Sequence, residues 1–193
     1  AFGTSVSGGL TNPGTSQTFS LTTAGSERLL LVSNSGVTGG SDNVTGVTYS
    51  GSACTKVTSI QPTSGRWLSL WYLVNPASGA NDVVISTSSS DVIQGIAGYY
   101  SGVSQSGFPD ATTSINASSS PLTLTLTTVA DNAWLAGVAL ANDSGITAGT
   151  DTTLRSTNGA GYGIIDSNAP RTPAGSNSIQ VTYSTGASAG IAV

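Results

Sequence analysis

The chain is 193 residues long and only 7% of them are charged, five Lys and Arg against nine Asp and Glu, for a formal net charge of −4. So few cations exclude a nucleic-acid groove or an anionic membrane surface as partners, because both are held by clustered Lys and Arg. His is absent, which removes Cys-His and Ser-His nucleophile pairs, and the single Cys54 cannot form an intrachain disulfide.

The opening "AFGTSVS" alternates Phe2, Thr4 and Val6 and runs into the Gly/Pro hinge "GGLTNPG". Residues 1–14 therefore read as a candidate assembly arm. It is either the first strand of its own sandwich or a strand laid along a neighbour's open sheet edge. "QTFSLTT" (17–23) alternates, and "RLLLVSN" (28–34) is a continuous apolar run suited to a central strand. "VTGVTYS" (44–50) and "CTKVTSI" (54–60) read as a hairpin joined through Gly51, Ser52 and Ala53.

In residues 66–74, "RWLSLWYLV", Leu68, Leu70, Tyr72 and Val74 share one face of a strand and Trp67, Trp71 and Leu73 the other. A strand apolar on both sides is expected to be covered on both sides. "DVVISTS" (82–88), "IQGIAGYY" (93–100), "LTLTLTT" (122–128), "AWLAGVAL" (133–140), "TTLRST" (152–157), "YGIID" (162–166), "SIQVTYS" (178–184) and "SAGIAV" (188–193) complete the strands. The strand-poor stretch 101–121 reads as a surface crossover loop, and no internal repeat stands out. Helical periodicity is nearly absent and no apolar run reaches the roughly 20 residues of a spanning helix. The expectation is a single all-β domain over 1–193, an antiparallel β-sandwich of jelly-roll-like form.

The order "VTGVTYSGS" (44–52), "SLWYLVNPASG" (69–79), "VVIS" (83–86) and "AGYYSGV" (97–103) resembles a domain that recurs in bacterial, archaeal and phage extracellular proteins. "RLLLVS" (28–33) and the closing "SAGIAV" fit the same pattern. The resemblance implies a jelly-roll-like sandwich found in secreted proteins, surface fibres and phage tail or decoration proteins. It implies no catalytic motif. The missing initiator Met suggests a removed N-terminal segment, in keeping with an extracellular, cell-surface or virion-surface protein.

Lys56 is the only lysine and is expected on a solvated strand face, which leaves a Ser-Lys dyad without support. The acids, Glu27, Asp42, Asp82, Asp91, Asp110, Asp131, Asp143, Asp151 and Asp166, fall mostly at turns, where Asp bonds its own backbone. Zinc lacks its usual ligands, and no phosphate-binding Gly-Lys loop occurs. "SDN" (41–43) and "ANDSG" (141–145) could offer oxygens to calcium, but no calcium-loop motif is present. No metal and no cofactor is expected. Asn43, Asn116 and Asn142 open sequons for glycosylation. Trp67, Tyr99 and Phe108 are the candidate glycan-stacking or interface aromatics; Trp67, at the strand entry, is the ring best placed for exposure, although packing in the core is the favoured reading for it. Two functions follow. The first is a non-enzymatic structural subunit that assembles with identical copies into a filament or surface; the second is a carbohydrate-binding or adhesion module.

Overall fold

The computed structural model describes the chain except residues 38–40, 63–65, 143–144 and 160. The first half supplies β1 (Phe2–Leu10), β2 (Gly14–Thr23), β3 (Leu29–Gly36), β4 (Val44–Tyr49), β5 (Ser52–Ala53), β6 (Thr55–Ile60), β7 (Trp67–Val74), β8 (Gly79–Asp91) and β9 (Gln94–Tyr100). The second supplies β10 (Thr113–Ala117), β11 (Leu122–Thr128), β12 (Ala136–Ala141), β13 (Thr147–Ala148), β14 (Thr153–Thr157), β15 (Tyr162–Asp166), β16 (Gly175–Thr182) and β17 (Ser188–Ala192). No helix occurs among the described residues.

The strand pairs are antiparallel and nested. β1 pairs with β9, β2 with β8 and β3 with β7, and successive pairs fall alternately into the sheets β1-β9-β3-β7-β6 and β2-β8-β4-β5. Nesting with alternation is the winding of a jelly roll. The second half repeats it: β10 pairs with β17, β11 with β16 and β12 with β15, in the sheets β10-β17-β12-β15-β14 and β11-β16-β13. The antiparallel sandwich expected from alternation is what the chain forms. It forms it twice.

Three apolar cores order the sheets into four layers. Leu21, Val47, Tyr49, Val83 and Ile85 of the first outer sheet meet Leu30, Val32, Trp71 and Ala97 of the first inner sheet. Leu122, Leu124, Leu126, Ile179 and Val181 of the second outer sheet meet Ala139, Ile165 and Ala192 of the second inner sheet. Between the two inner sheets lies a third core, with Leu29, Leu31, Leu68, Leu70, Ile96 and Tyr100 on one side and Val138, Leu140, Tyr162, Ile164 and Ile191 on the other. The central inner strands β3, β9, β12, β15 and β17 are therefore buried on both faces. The same cover explains why β7 carries apolar residues on both of its faces, as its sequence led us to expect.

The two halves match residue by residue. Val32 pairs with Ala97 and with Trp71; Gly137 pairs with Ala192 and with Ile165. Gln17, Phe19 and Leu21 face Ile85, Val83 and Asn81 across the first outer sheet, as Leu122, Leu124 and Leu126 face Val181, Ile179 and Asn177 across the second. A register shift interrupts β6 between Lys56 and Thr58 and β14 between Leu154 and Ser156, at the same place against the neighbouring strand. Glu27 and Asn132, both with positive φ, turn the chain before the matching strands β3 and β12. The inner sheets also pack reciprocally, β1 over β14 and β6 over β10, β9 over β15 and β7 over β17. The chain is thus an internal duplication whose halves are related by a pseudo-twofold axis, in the manner of an isologous dimer.

Several expectations change. An internal repeat exists, although the sequence alone did not reveal one. β4 forms a tight hairpin with β5 through Ser50 and Gly51, both at positive φ, but the chain then leaves that sheet. After Cys54 it continues as β6, paired to β7 in the inner sheet, so residues 54–60 are not the hairpin partner of 44–50. The loop 101–121 contains β10, which is the equivalent of β1. Of the two readings of residues 1–14, the structure has the first: β1 is the edge strand of its own inner sheet. A register shift between Phe2 and Ser5 also breaks the alternation of Phe2, Thr4 and Val6. Phe2 consequently enters the central core and Val6 the first-half core, on opposite faces, while Thr4 is exposed.

Candidate functional site

The aromatic residues do not form a platform. Trp67 is 1% exposed, the packed reading rather than the exposed one, and its ring occupies the space where a side chain on Gly36 would stand. Strand pairing sets Trp67 opposite Gly36, and the glycine leaves room for the indole. Tyr99 is buried in the first-half core with its ring over Gly3. Phe108 is half-buried and packs edge-on against Tyr72, centroids 4.9 Å apart. Trp67 and Tyr99 are therefore packing residues, and no aromatic ring among the described residues is exposed.

Several of the acids are engaged. Asp42 pairs with Lys56 and accepts the amide of Val44 at 3.0 Å. Lys56 also lies 5.6 Å above the Trp71 ring, so it does not stand free on its strand face. Asp91 is fully buried and accepts the amide of Val92 at 2.7 Å. Among the described residues no three His, Cys, Asp or Glu side chains converge as metal ligands. Cys54 is buried in the first-half core, and burial raises its pKa from 9.0 to about 12, the behaviour of a packed thiol rather than a nucleophile.

One buried polar cluster was not anticipated. At one end of the central core, Arg155 Nε of β14 lies 2.7 Å from Asp166 Oδ2 of β15, and Asp166 is completely buried. Tyr100 Oη of β9 donates to the same oxygen at 3.1 Å, and the amide of Asn168 donates to Oδ1 at 2.8 Å. Phe2 stacks 4.5 Å from the Arg155 guanidinium and edge-on to Tyr100 at 5.5 Å. Burial, and then the neighbouring Asp166 carboxylate, hold the Tyr100 pKa well above the ordinary phenol range. The cluster joins both halves through a charge that must stay paired once it is desolvated. Its pseudo-equivalent at the other end is apolar, with Tyr72 in the place of Asp166 and Val57 in the place of Arg155. The signal in the sequence was slight: Arg155 falls at the register shift of an edge strand, where a side chain is redirected.

Among the described residues, each outer sheet carries a shallow depression. The first, about 470 Å³, is lined by Thr48, Ser50, Gly51 and the β8 residues Ala80, Asn81, Asp82 and Val84. The second, about 300 Å³, is lined by Thr150, Asp151, Arg171 and the β16 residues Ser176, Asn177, Ser178 and Gln180. The β8 and β16 segments are equivalent under the duplication. Hydroxyls and amides dominate both, so these surfaces can exchange hydrogen bonds but gather no acid–base pair at close range.

The sequons differ in access. Asn116 is exposed, with its amide donating to Gln61 O at 2.6 Å. Asn43 Nδ2 donates to Ser89 Oγ at 3.1 Å. The Asn142 amide is buried, so the folded chain does not present it for modification; Asp143 and Ser144 of that sequon and of the 141–145 stretch lie outside the described residues. No helix among the described residues is long and apolar enough to cross a membrane. No family model, no curated protein and no solved structure matches the chain.

Proposed function

We propose that the protein is a non-enzymatic structural subunit of an extracellular surface or filament, a fibre, pilus-like polymer or virion or tail surface built from identical copies. The observation that carries this reading is the duplicated four-layer block. Its large rings fill three cores, its outer sheets are coated with hydroxyls, and its two outer faces are near-copies of each other. A body with two like faces suits a repeating lattice, because each copy can present the same surface on both sides. The low charge and the resemblance of residues 44–103 to extracellular surface domains point the same way. Its place outside the cell or on a virion belongs to the same proposal.

Electron microscopy of the native material, with sedimentation of the purified chain over a range of concentrations, tests it. Filaments or ordered sheets are expected, and a monomer at every concentration would overturn the reading. The carbohydrate-binding alternative is less well supported, since two of its three candidate rings, Trp67 and Tyr99, are internal.

A further inference from the structure

Each of the four sheets ends in edge strands, and the edges differ in how they are closed to further pairing. β1 carries two register shifts. β6 and β14 each carry one, beside Lys56 and Arg155. β5 and β13 are two residues long. Bulges, cations and brevity are the devices that keep a sheet edge from pairing with another chain. β2 and β11 lack them over most of their length. β2 runs in unbroken register with β8 from Ser16 to Thr23, and β11 with β16 from Leu122 to Thr128. Neither strand contains a charge or a proline. β10, also without a shift, is five residues long and lies beside β11.

The positions of these edges follow from the packing. β1 lies over β14 and β10 over β6, so the two inner sheets run in opposite strand order. β2, which adjoins β1, is therefore on one flank of the block, and β11, which adjoins β10, on the opposite flank. Two open edges on opposite flanks cannot close on one another within the chain.

We infer that β11 of one copy pairs antiparallel with β2 of the next, joining the second outer sheet of one molecule to the first outer sheet of its neighbour. A second copy is the partner these edges fit. The duplication gives them the same alternation, Gln17, Phe19, Leu21 and Thr23 inward on β2 and Leu122, Leu124, Leu126 and Thr128 inward on β11. Keeping inward residues with inward residues fixes the parity of the register. Full overlap of β11 with the unbroken stretch of β2 then sets Leu124 opposite Leu21, Leu126 opposite Phe19 and, on the solvent side, Thr125 opposite Ser20. Aliphatic–aromatic and hydroxyl–hydroxyl cross-strand pairs are the favourable ones. The contact joins unlike edges and leaves one of each free, so it propagates as an open row. This deepens the structural-subunit reading and rests on it.

The test is disulfide trapping in the full chain. Ser20 and Thr125 are both exposed, and a double Ser20→Cys, Thr125→Cys variant should give a ladder of covalent multimers on mild oxidation, while each single variant stays monomeric under denaturing electrophoresis. Thr125→Lys, which leaves the core untouched, should give folded monomers by circular dichroism at concentrations where the parent polymerises. Filaments without a ladder would overturn the β2–β11 contact and leave the subunit reading standing. Covalent dimers from a single variant would also overturn it, in favour of like-with-like pairing. Absence of any polymer from the parent chain would remove the subunit reading itself.

Discussion

The two halves of this chain wind the same way around different interiors. In the first, Trp67 lies opposite Gly36 and its ring fills the space a side chain there would take. At the matching place in the second, Ala141 stands opposite Gly161, two small residues joined by a backbone hydrogen bond of 2.7 Å. The first half stitches its corner with Gln17, whose Nε2 donates to Gly8 O at 3.0 Å and whose Oε1 accepts the amide of Gly95 at 2.7 Å. The second half has Leu122 there, against Gly190. Strand order and register survive these exchanges. The comparison teaches that the winding is held by pattern, turn positions and a few close approaches, while the filling side chains differ between the halves in identity and in size.

The largest expected effect comes from the ring that only one half has. Trp67→Ala should cost about 3–5 kcal/mol of stability in chemical denaturation, the usual range for a buried large aromatic. Gly161→Ala, at a φ of 73°, should cost about 1 kcal/mol, from backbone strain alone. Equal costs would mean that the halves are not packed as differently as their side chains indicate.

The two ends of the central core give the next contrast. Asp166→Ala leaves the Arg155 charge without its partner and Tyr100 Oη without its acceptor, and should cost about 3 kcal/mol. Phe108→Ala at the apolar end should cost about 1–2 kcal/mol, because the ring is only half-buried. Urea midpoints of both variants, and of the double variant, would show whether the two ends act independently.

The glycines at which the inner strands touch the outer sheets should be alike in sign and unequal in size. A Cβ on Gly95 would stand 2.5 Å from Gln17 Oε1 and 2.6 Å from Phe19 Cε1; on Gly190 it would stand 2.8 Å from Leu124 Cδ1. Gly95→Ala should therefore destabilise by about 2–3 kcal/mol and Gly190→Ala by about 1–2 kcal/mol, read from melting temperatures. A neutral Gly95→Ala would refute the tight approach of β9 to β2.

The last contrast is alkaline. Cys54 belongs to the first half alone, and burial pushes its pKa from 9.0 to about 12. Below pH 9 both folded and unfolded chains keep the proton and this contribution is complete. Above it the unfolded chain loses a proton that the folded chain retains, so stability falls as pH rises toward 12. Tyr100 and Tyr162, also raised chiefly by burial, steepen the fall above pH 10. Denaturation midpoints between pH 8 and 11 should decline, and Cys54→Ala should flatten the portion that begins near pH 9. A thiol that reacts readily with an alkylating reagent in the native state would contradict the burial.

How much of this was legible in the residues is uneven. Alternation located most of the strands, since a half-buried strand must alternate, and the doubly apolar 66–74 announced a strand covered on both sides. The Leu-Thr-Thr at 21–23 returns at 126–128, and the Gly-Ile-Ala at 95–97 returns at 190–192. These echoes mark equivalent positions, yet three-residue identities in a chain so rich in Thr, Gly and Ala carry little weight until strand pairing aligns them. The candidate site was read less well: core packing was the favoured place for Trp67, but a tryptophan at the start of a strand gives no sign that a glycine across the sheet has made room for it, so an exposed ring stayed open.

Composition and periodicity by themselves determined that this chain is a sparsely charged, hydroxyl-rich stack of antiparallel strands. Those properties are local, set by which side chains tolerate a pleated ribbon and which bend it. The tertiary structure alone decided that the strands wind twice, that the two windings share a core, and that Arg155, Asp166 and Tyr100 meet across it. Each of those facts depends on residues far apart in the chain being brought to one place, and a linear pattern does not encode distance.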